Sequence, residues 1–275
     1  MIRQFPKIVG IVNVTPDSFS DGGMYFDHKQ AIDHALRLID EGADMLDIGG
    51  ESTRPGAHPV DPQEELRRVI PVIEGVRRFN TSIPISIDTT KASVARAALD
   101  VGATMINDIS AARFDPLMLS LVVERSVPIV LMHMQGTPQT MQLNPTYTDV
   151  VEEVFAFLLE RITVARAAGV THIIADVGIG FGKRLEHNLL LLRNLHRFTA
   201  LGVPLYLGIS RKRFIGELTG IAEPSERDCA TAMVHALLLT APVEYIRVHN
   251  VSLLAQLRTL WQALHEVEMT SFLSR

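Results

Sequence analysis

"EGADMLDIGGESTRPGA", residues 41–57, holds in one line the unit from which the chain is built. Gly42-Ala43 closes a segment of helical period, in which Ala31, Ile32, Ala35, Leu36 and Ile39 share one stripe while Asp33, Arg37 and Asp40 point elsewhere. Met45–Ile48 is a short apolar run, and from Gly49 the text turns polar, with Glu51, Thr53 and Arg54. The same junction returns at Gly102-Ala103, Gly169-Val170 and Gly202-Val203, where glycine suits the left-handed position after a helix end.

Outward from this unit, strand candidates fall at Lys7–Val12, Met45–Ile48, Pro84–Ile87, Thr104–Ile106, Pro128–Met132, His172–Ala175, Pro204–Ile209 and Tyr245–Val248. They are near-continuously apolar, as parallel strands covered on both faces must be. Helical periodicity fills the gaps: Leu66, Val69, Ile70, Ile73 and Val76 form one stripe, and further segments lie near Lys91–Leu99, Pro116–Glu124, Asp149–Ala167, Glu186–Ala200, Ser225–Leu239 and Leu253–Val267. Eight cycles in 275 residues make about 34 residues each, the length of a βα unit, and predict a (β/α)8 TIM barrel. A doubly wound open sheet would use fewer strands. With no linker or low-complexity stretch, residues 1–275 read as a single domain.

Composition narrows the class. The chain is 47% hydrophobic, with a formal charge of -5, and no basic run suggests a nucleic-acid surface. One cysteine, Cys229, permits no internal disulfide and fits a reducing, cytoplasmic setting. The N-terminal residues lack the apolar run of a signal peptide, and no stretch is long enough to span a bilayer.

In a barrel of this kind the site lies at the C-terminal ends of the strands. Those positions carry Asn13; Asp47 with Gly49 to Arg54; Asp88; Asn107-Asp108; His133; Asp176; Ser210-Arg211-Lys212; Arg247 and His249. So many polar groups at one mouth demand a ligand or a hydrogen-bond network. Arg54, Lys212, Arg247 and His249, with the hydroxyls of Thr53 and Ser210, suit a phosphate or diphosphate. Asn13, beside Asp17 and Asp21, suits a Mg²⁺ that also binds substrate phosphate. Asp88, Asn107 and Asp176 suit a flat heterocycle with an amidine-like N–H edge.

The stretches "GIVNVTPDSFSDGG", "DIGGESTRPGA", "SIDTTK", "INDI", "LMHMQGTPQTMQ", "DVGIGFGK", "GISRKRFIG" and "IRVHN" occur in order at these strand ends, and along essentially its whole length the chain resembles the bacterial dihydropteroate synthase family. The resemblance implies a transferase that joins a dihydropterin carrying a CH2–pyrophosphate to p-aminobenzoate, releasing pyrophosphate. It implies that Asp176 and Asn107 read the amino-pyrimidine edge, and that Lys212 donates to the pterin carbonyl and ring nitrogen. Arg247 would lie over the pterin and reach the pyrophosphate, while Asp88 offsets developing positive charge. Asp88, Lys212 and Arg247 are then the catalytic set. Asn13 would ligate Mg²⁺, with Thr53, Arg54 and His249 on the pyrophosphate. Phe19, Pro55, Phe181 and Ser210 would frame the p-aminobenzoate site, which sulfonamides share. The resemblance also implies a homodimer, for which Leu237–Leu239 and Leu253–Leu260 offer apolar helix faces. The loop after the first strand, with Gly22-Gly23, reads as a lid, and Glu51–Pro59 as its partner. Val177 and Asn250 stand where the family often has proline and aspartate.

Plainer readings cover other residues. "GIGFGK" fails the phosphate-loop templates, so its glycines read as loop glycines. His133 reads as structural or pocket-lining, Cys229 as a packed thiol, and Lys91 as a surface residue at a helix start. Asp47 reads as a support for the Glu51–Arg54 loop, and Asp108 as a cap. Arg67-Arg68 and Arg77-Arg78 read as solvated helix faces. Met134 and Met141 read equally as loop filler or pocket lining. Among rival functions, a corrinoid-dependent methyltransferase would have no pyrophosphate to bind, and Ser210-Arg211-Lys212, "ESTRPG" and the first loop argue against it. A pterin binder without catalysis would be expected to lack an anion-binding or loop residue, and here all are present. A sugar-phosphate barrel fits the two carboxylates and the asparagine less well than a nitrogen heterocycle does.

Overall fold

Eight parallel strands close on themselves in the order β1 to β8, each followed by helix. The computed structural model describes residues 4–15 and 24–266, with only the backbone at 24–27 and 266; Asp17, Phe19, Asp21 and Gly22-Gly23 lie outside the described residues. The strands are β1 Lys7–Asn13, β2 Met45–Gly49, β3 Ile85–Asp88, β4 Met105–Asp108, β5 Ile129–Met132, β6 Ile173–Asp176, β7 Leu205–Gly208 and β8 Tyr245–Val248. The helices are α1 Met24–Asp40, α2 Pro62–Phe79, α3 Ala92–Asp100, α4 Met118–Arg125, α5 Val150–Ala167, α6 Leu185–Arg193, α7 Arg213–Thr219, α8 Asp228–Leu237 and α9 Val251–Glu266.

The (β/α)8 reading holds, and the strand boundaries differ in an instructive way. Pro84, Pro128 and Pro204 precede their strands because proline has no N–H for the ladder. Their carbonyls still accept from the preceding strand, from Leu46, Ile106 and Ala175 at 2.9–3.0 Å. At the other end the ladders run further than the apolar pattern: Asn13 pairs with Gly49, Gly49 with Asp88, and Asp88 with Asn107. Asn13, Asp88 and Asn107 therefore sit on the sheet itself and inherit its rigidity.

Period-two alternation sorts each strand. Outward residues such as Ile8, Val12, Leu46, Ile48, Ile85, Ile87 and Ile106 are 0% exposed and pack against the helices. Inward residues Val9, Met45, Met105, Val130, Ile174 and Tyr206 fill the barrel interior. Truncating one of the outward isoleucines to alanine would cost about 2–5 kcal/mol, transfer and cavity together. The four glycine junctions at Gly42, Gly102, Gly169 and Gly202 all have positive φ, from 65° to 113°.

Two helical segments differ from the sequence pattern. The expected helix Glu186–Ala200 breaks at Asn194, whose side chain donates back to Leu190 O at 2.8 Å, and continues as a short 3-10 helix, Leu195–Leu201. The expected Ser225–Leu239 begins as a 3-10 turn at Pro224–Arg227 and becomes α8 only from Asp228. Helix α7 has no sequence signal: seven residues ended by Gly220 are too few to show a period. Among the described residues no helix is long and apolar enough to cross a membrane.

Candidate active site

The floor of the mouth is built on β2, β3, β4 and β8. Asp47, Asp88, Asn107 and Arg247 all point inward, one pleat above the apolar interior. Arg247 Nε donates to Asp47 Oδ2 at 2.5 Å and its Nη2 to Asp88 Oδ2 at 2.9 Å. Asn107 Nδ2 donates to the same Asp47 oxygen at 3.1 Å. Asp47 does not support the Glu51–Arg54 loop, as its place in the sequence suggested. It is fully buried and binds the guanidinium, because its position on β2 faces the barrel axis rather than the loop above.

One cation thus serves two buried carboxylates. Burial and the neighbouring Asp47 push Asp88 up to about 8, against the pull of Arg247. Burial alone would lower Arg247, but Asp47 and Asp88 outweigh it and hold the guanidinium above its ordinary range. Asp47 Oδ1 is buried without a hydrogen-bond partner. Gly49 keeps the corner open, since a Cβ there would lie 3.2 Å from Asp88 Cβ.

The opposite wall comes from β6 and β7. Asp176, 6% exposed, accepts from Gly178 N at 2.7 Å, which orients one carboxylate oxygen and leaves the other for a ligand. Burial raises its pKa against the attraction of Lys212. Lys212 Nζ donates to Ile179 O and sits 4.6 Å from the centre of the Phe181 ring; burial pushes it down to about 8, opposed by Asp176. A Cβ on Gly208 would lie about 4.0 Å from Lys212 Nζ and 3.9 Å from Arg247 Cδ, so glycine leaves the space between the two cations clear. Arg211 has φ 59°, a left-handed turn. Paired hydrogen bonds of 2.7 Å to Asp228 hold it there while the next residue, Lys212, turns inward.

Sequence reasoning passed over Lys183. It is 3% exposed and donates to Gly178 O at 2.8 Å and Phe181 O at 3.0 Å, with His133 Nδ1 at 2.9 Å as the third contact. Two of its contacts are carbonyls of the "GIGFGK" loop and the third is His133, so this lysine is engaged in the interior rather than offered to a phosphate. Burial and Lys183 push His133 down to about 2, so it is neutral. Gly178 is obligatory: φ is 67° and a Cβ would come within 1.8 Å of His133 O. Met134 and Met141 are buried with Ile109 and Met132, against Phe181. They are the packing under the second wall, not loose filler.

At the rim, Ser210 Oγ accepts from His249 N at 3.1 Å and lies 2.9 Å from His249 Nδ1. With the Ser210 proton on Nδ1, the imidazole carries its own proton on Nε2, where it can meet an anion. Burial, Arg211 and Arg247 push His249 down to about 3, and Arg54 acts on it in the same sense. Arg54 and Pro55 are exposed and Thr53 is half-buried, all on the loop after β2. Asn13 ends β1 beside Gly49. The mouth thus gathers Asp88, Asn107, Asp176, Lys212 and Arg247 below, and His249, Ser210 and Arg54 above. Among the described residues no cluster of three or more His, Cys, Asp or Glu is arranged to hold a metal ion.

Several plainer readings change. Cys229 is exposed, not packed, because α8 turns that position to solvent. Lys91 is not a surface residue: its side chain is 20% exposed and paired with Glu51 and Glu65. Arg68 and Arg77 are tied to carbonyls, of Gly50 at 2.8 Å and Gly102 at 2.8 Å, while Arg67 and Arg78 are exposed. Asp108 caps a turn, accepting from Ser110 N and Ala112 N at 2.7 and 3.0 Å. Asn250 donates to Asp228 and caps α9 through Leu253 N at 3.1 Å.

The pterin binding enzyme family model matches residues 9–249. A dihydropteroate synthase of Synechocystis is 45% identical over 94% of this chain and 89% of its own. The solved structure of Xanthomonas albilineans dihydropteroate synthase with 4-aminobenzoic acid is 49% identical, with a TM-score of 0.90 over 96% of this chain and 94% of that one. A second structure of that protein, with 7,8-dihydropteroate, gives 46% and 0.86, covering 96% and 95%. A Yersinia pestis dihydropteroate synthase with a sulfonamide drug gives 38% and 0.89, covering 96% and 95%. This chain belongs to the dihydropteroate synthase family of pterin-binding enzymes.

Proposed function

We propose that the strand-end cluster described above performs the family's condensation of 6-hydroxymethyl-7,8-dihydropterin pyrophosphate with p-aminobenzoate, to 7,8-dihydropteroate and pyrophosphate, within one barrel domain. The chain is a transferase of folate biosynthesis, and the geometry supports the following roles for its residues. Asp176 and Asn107 accept from and donate to the amino-pyrimidine edge of the pterin. Lys212, already facing a carbonyl and an aromatic ring, donates to the pterin carbonyl and ring nitrogen. Arg247 lies across the heterocycle and extends to the diphosphate.

The C–O bond to the diphosphate breaks with its electron pair leaving on oxygen, and the methylene cation is shared with the electron-rich ring. Asp88, ionised, offsets that charge, and Arg247, Arg54, Thr53 and His249 Nε2–H meet the negative charge on the leaving group. The amine of p-aminobenzoate attacks the methylene and releases its proton to solvent. Phe181, Pro55, Ser210 and Phe19, the last outside the described residues, frame that second substrate and the sulfonamides that compete with it.

Asn13 offers a single neutral oxygen at the mouth, a donor set that fits a cation held mainly by the substrate's own phosphates. Mg²⁺ bound there would neutralise charge on the departing diphosphate. A second copy of the chain would cover Leu237 and Leu260, which are 81% and 64% exposed, with Met233 and Leu264 one turn away on the same helices. The cytoplasm is the proposed setting.

The single observation that carries this reading is the Asp47–Arg247–Asp88 arrangement, a buried cation and carboxylate pair opened toward the mouth beside Asn107. The test is pyrophosphate release by the purified protein with Mg²⁺, with and without p-aminobenzoate. Release that tracks dihydropteroate formation supports the reading. Tight pterin binding without release would make the chain a non-catalytic binder, and no pterin binding would discard these roles for Asp88, Asn107 and Asp176.

A further inference from the structure

Lys91 stands at the N-cap of α3, three residues past Asp88, and has no side-chain bond to the helix it precedes. Its ammonium instead bridges two carboxylates, Glu51 Oε2 and Glu65 Oε2. Glu65 comes from the first turn of α2 and is fully buried. Glu51 comes from the loop after β2, and the same Oε2 accepts from Val60 N at 3.2 Å. Residues 51 and 60 are therefore pinned to one point, and the segment between them, which carries Thr53, Arg54 and Pro55, is a closed loop standing on it.

The neighbouring contacts fix that point in the fold. Gly50 lies against α2, where a Cβ would meet Val69 Cγ1 at 2.9 Å and Glu65 Cγ at 3.1 Å. Arg68 Nη1 donates to Gly50 O at 2.8 Å. Toward its tip the loop is held by Gly56 N, which donates to Pro138 O at 3.0 Å. Burial would lower the Lys91 pKa, but hydrogen bonds to Glu51 and Glu65 outweigh it, so the ammonium stays charged. Glu65 accepts from Lys91 on Oε2, with its Oε1 buried and unpartnered, so that bond does not depend on the Glu51 limb. What that limb adds is the tie to the loop. It also keeps the Glu51 carboxylate away from Arg54, which among the described residues has no side-chain partner.

We infer that Lys91 is a positioning residue for the anion half of the site: through Glu51 it closes the base of the Ser52–Pro59 loop and leaves Thr53 and Arg54 aimed and unpaired for the diphosphate. The inference rests on the reading of Thr53 and Arg54 as diphosphate contacts, and its test separates the two. Glu51→Gln weakens the loop's anchor, replacing its ion pair with a neutral amide, while Lys91 keeps Glu65. Lys91→Met removes both ties, and Lys91→Arg restores a cation. Each variant is titrated with inorganic pyrophosphate plus Mg²⁺ and with 6-hydroxymethyl-7,8-dihydropterin, which lacks the diphosphate, beside Arg54→Ala as reference.

Glu51→Gln and Lys91→Met should weaken pyrophosphate about tenfold, in line with small displacements of a binding group. They should leave the dihydropterin unchanged and raise KM for the diphosphate substrate more than they lower kcat. Lys91→Arg should recover most of the loss. Should Lys91→Met not fold, Glu51→Gln carries the test, since it leaves no buried charge unpaired. Equal losses for pyrophosphate and dihydropterin would make the strut merely structural and overturn the inference. So would parental pyrophosphate binding in Glu51→Gln while Arg54→Ala binds weakly. Parental binding in Arg54→Ala as well would overturn the reading of the loop itself.

Discussion

The floor and the rim of this mouth solve the same problem, a cluster of charges, in opposite ways. On the floor, Asp47, Asp88, Asn107 and Arg247 sit on barrel strands and hydrogen-bond one another at 2.5–3.1 Å before any ligand arrives. On the rim, Arg54 and Pro55 are exposed on a loop that is tied at its base, and His249 is neutral. With the roles proposed above, pterin recognition is prepared in advance, while diphosphate recognition is completed by the ligand. A site of this kind holds its heterocycle rigidly and lets the leaving group depart, which a transferase needs.

The largest effect that would test this contrast is on stability. Arg247→Met should destabilise the fold by about 3–5 kcal/mol, because it removes the buried cation that Asp47 and Asp88 share. Chemical unfolding measures it, and adding Asp47→Asn should return part of the loss. A change below about 1 kcal/mol would mean that the floor is no more built-in than the rim. Next in size, Asp176→Asn should weaken dihydropterin binding by roughly 1.5–3 kcal/mol, the loss of a charge-assisted hydrogen bond, with little change in melting temperature. A sharp fall in melting temperature with pterin affinity retained would reassign Asp176 to structure.

The same contrast explains what the sequence disclosed. The floor was legible because a parallel barrel forces polar residues to the strand ends, so Asn13, Asp88, Asn107, Asp176 and Arg247 could be picked from position. Their pairing was not legible: Asp47 and Arg247 lie 200 residues apart and meet only across the closed barrel. Lys91 and Lys183 escaped for the same reason, since nothing local marks a lysine whose partners come from other elements. Cys229 failed differently. Its apolar neighbours suggest a core position, but on α8 it is Ala230, Thr231 and His235 that face inward.

The pH dependence comes from the floor. Asp88, pushed up to about 8, binds its proton in the folded state long after an unfolded chain has released it at 3.8. Its contribution to stability is full below 3.8 and is lost as pH rises toward about 8. In the proposed mechanism ionised Asp88 offsets the developing charge, so kcat/KM should rise with pH up to about 8. Lys212, lowered to about 8, loses its charge above that value and donates more weakly, so the profile should fall there. The result is a narrow bell near pH 8. In Lys212→Arg the alkaline limb should vanish, because a guanidinium keeps its charge; an unchanged limb would take Lys212 out of the titration.

The smallest expected effect lies at the rim and is the sharpest separator of the two regions. Arg54→Ala removes an exposed side chain with no partner among the described residues, so stability should shift by no more than about 0.5 kcal/mol. Pyrophosphate affinity at low salt should nevertheless fall about tenfold, because the lost contact is a charge-assisted one made only with ligand. An exposed guanidinium is open to screening, so the difference between parent and variant should shrink at about 1 M salt, where the Debye length is about 3 Å. The corresponding loss in Asp176→Asn should persist, because Asp176 is shielded from the solvent that carries the ions. If both losses decline together with salt, the rim and the floor are electrostatically one region, and the division between a prepared pterin site and a ligand-completed diphosphate site fails.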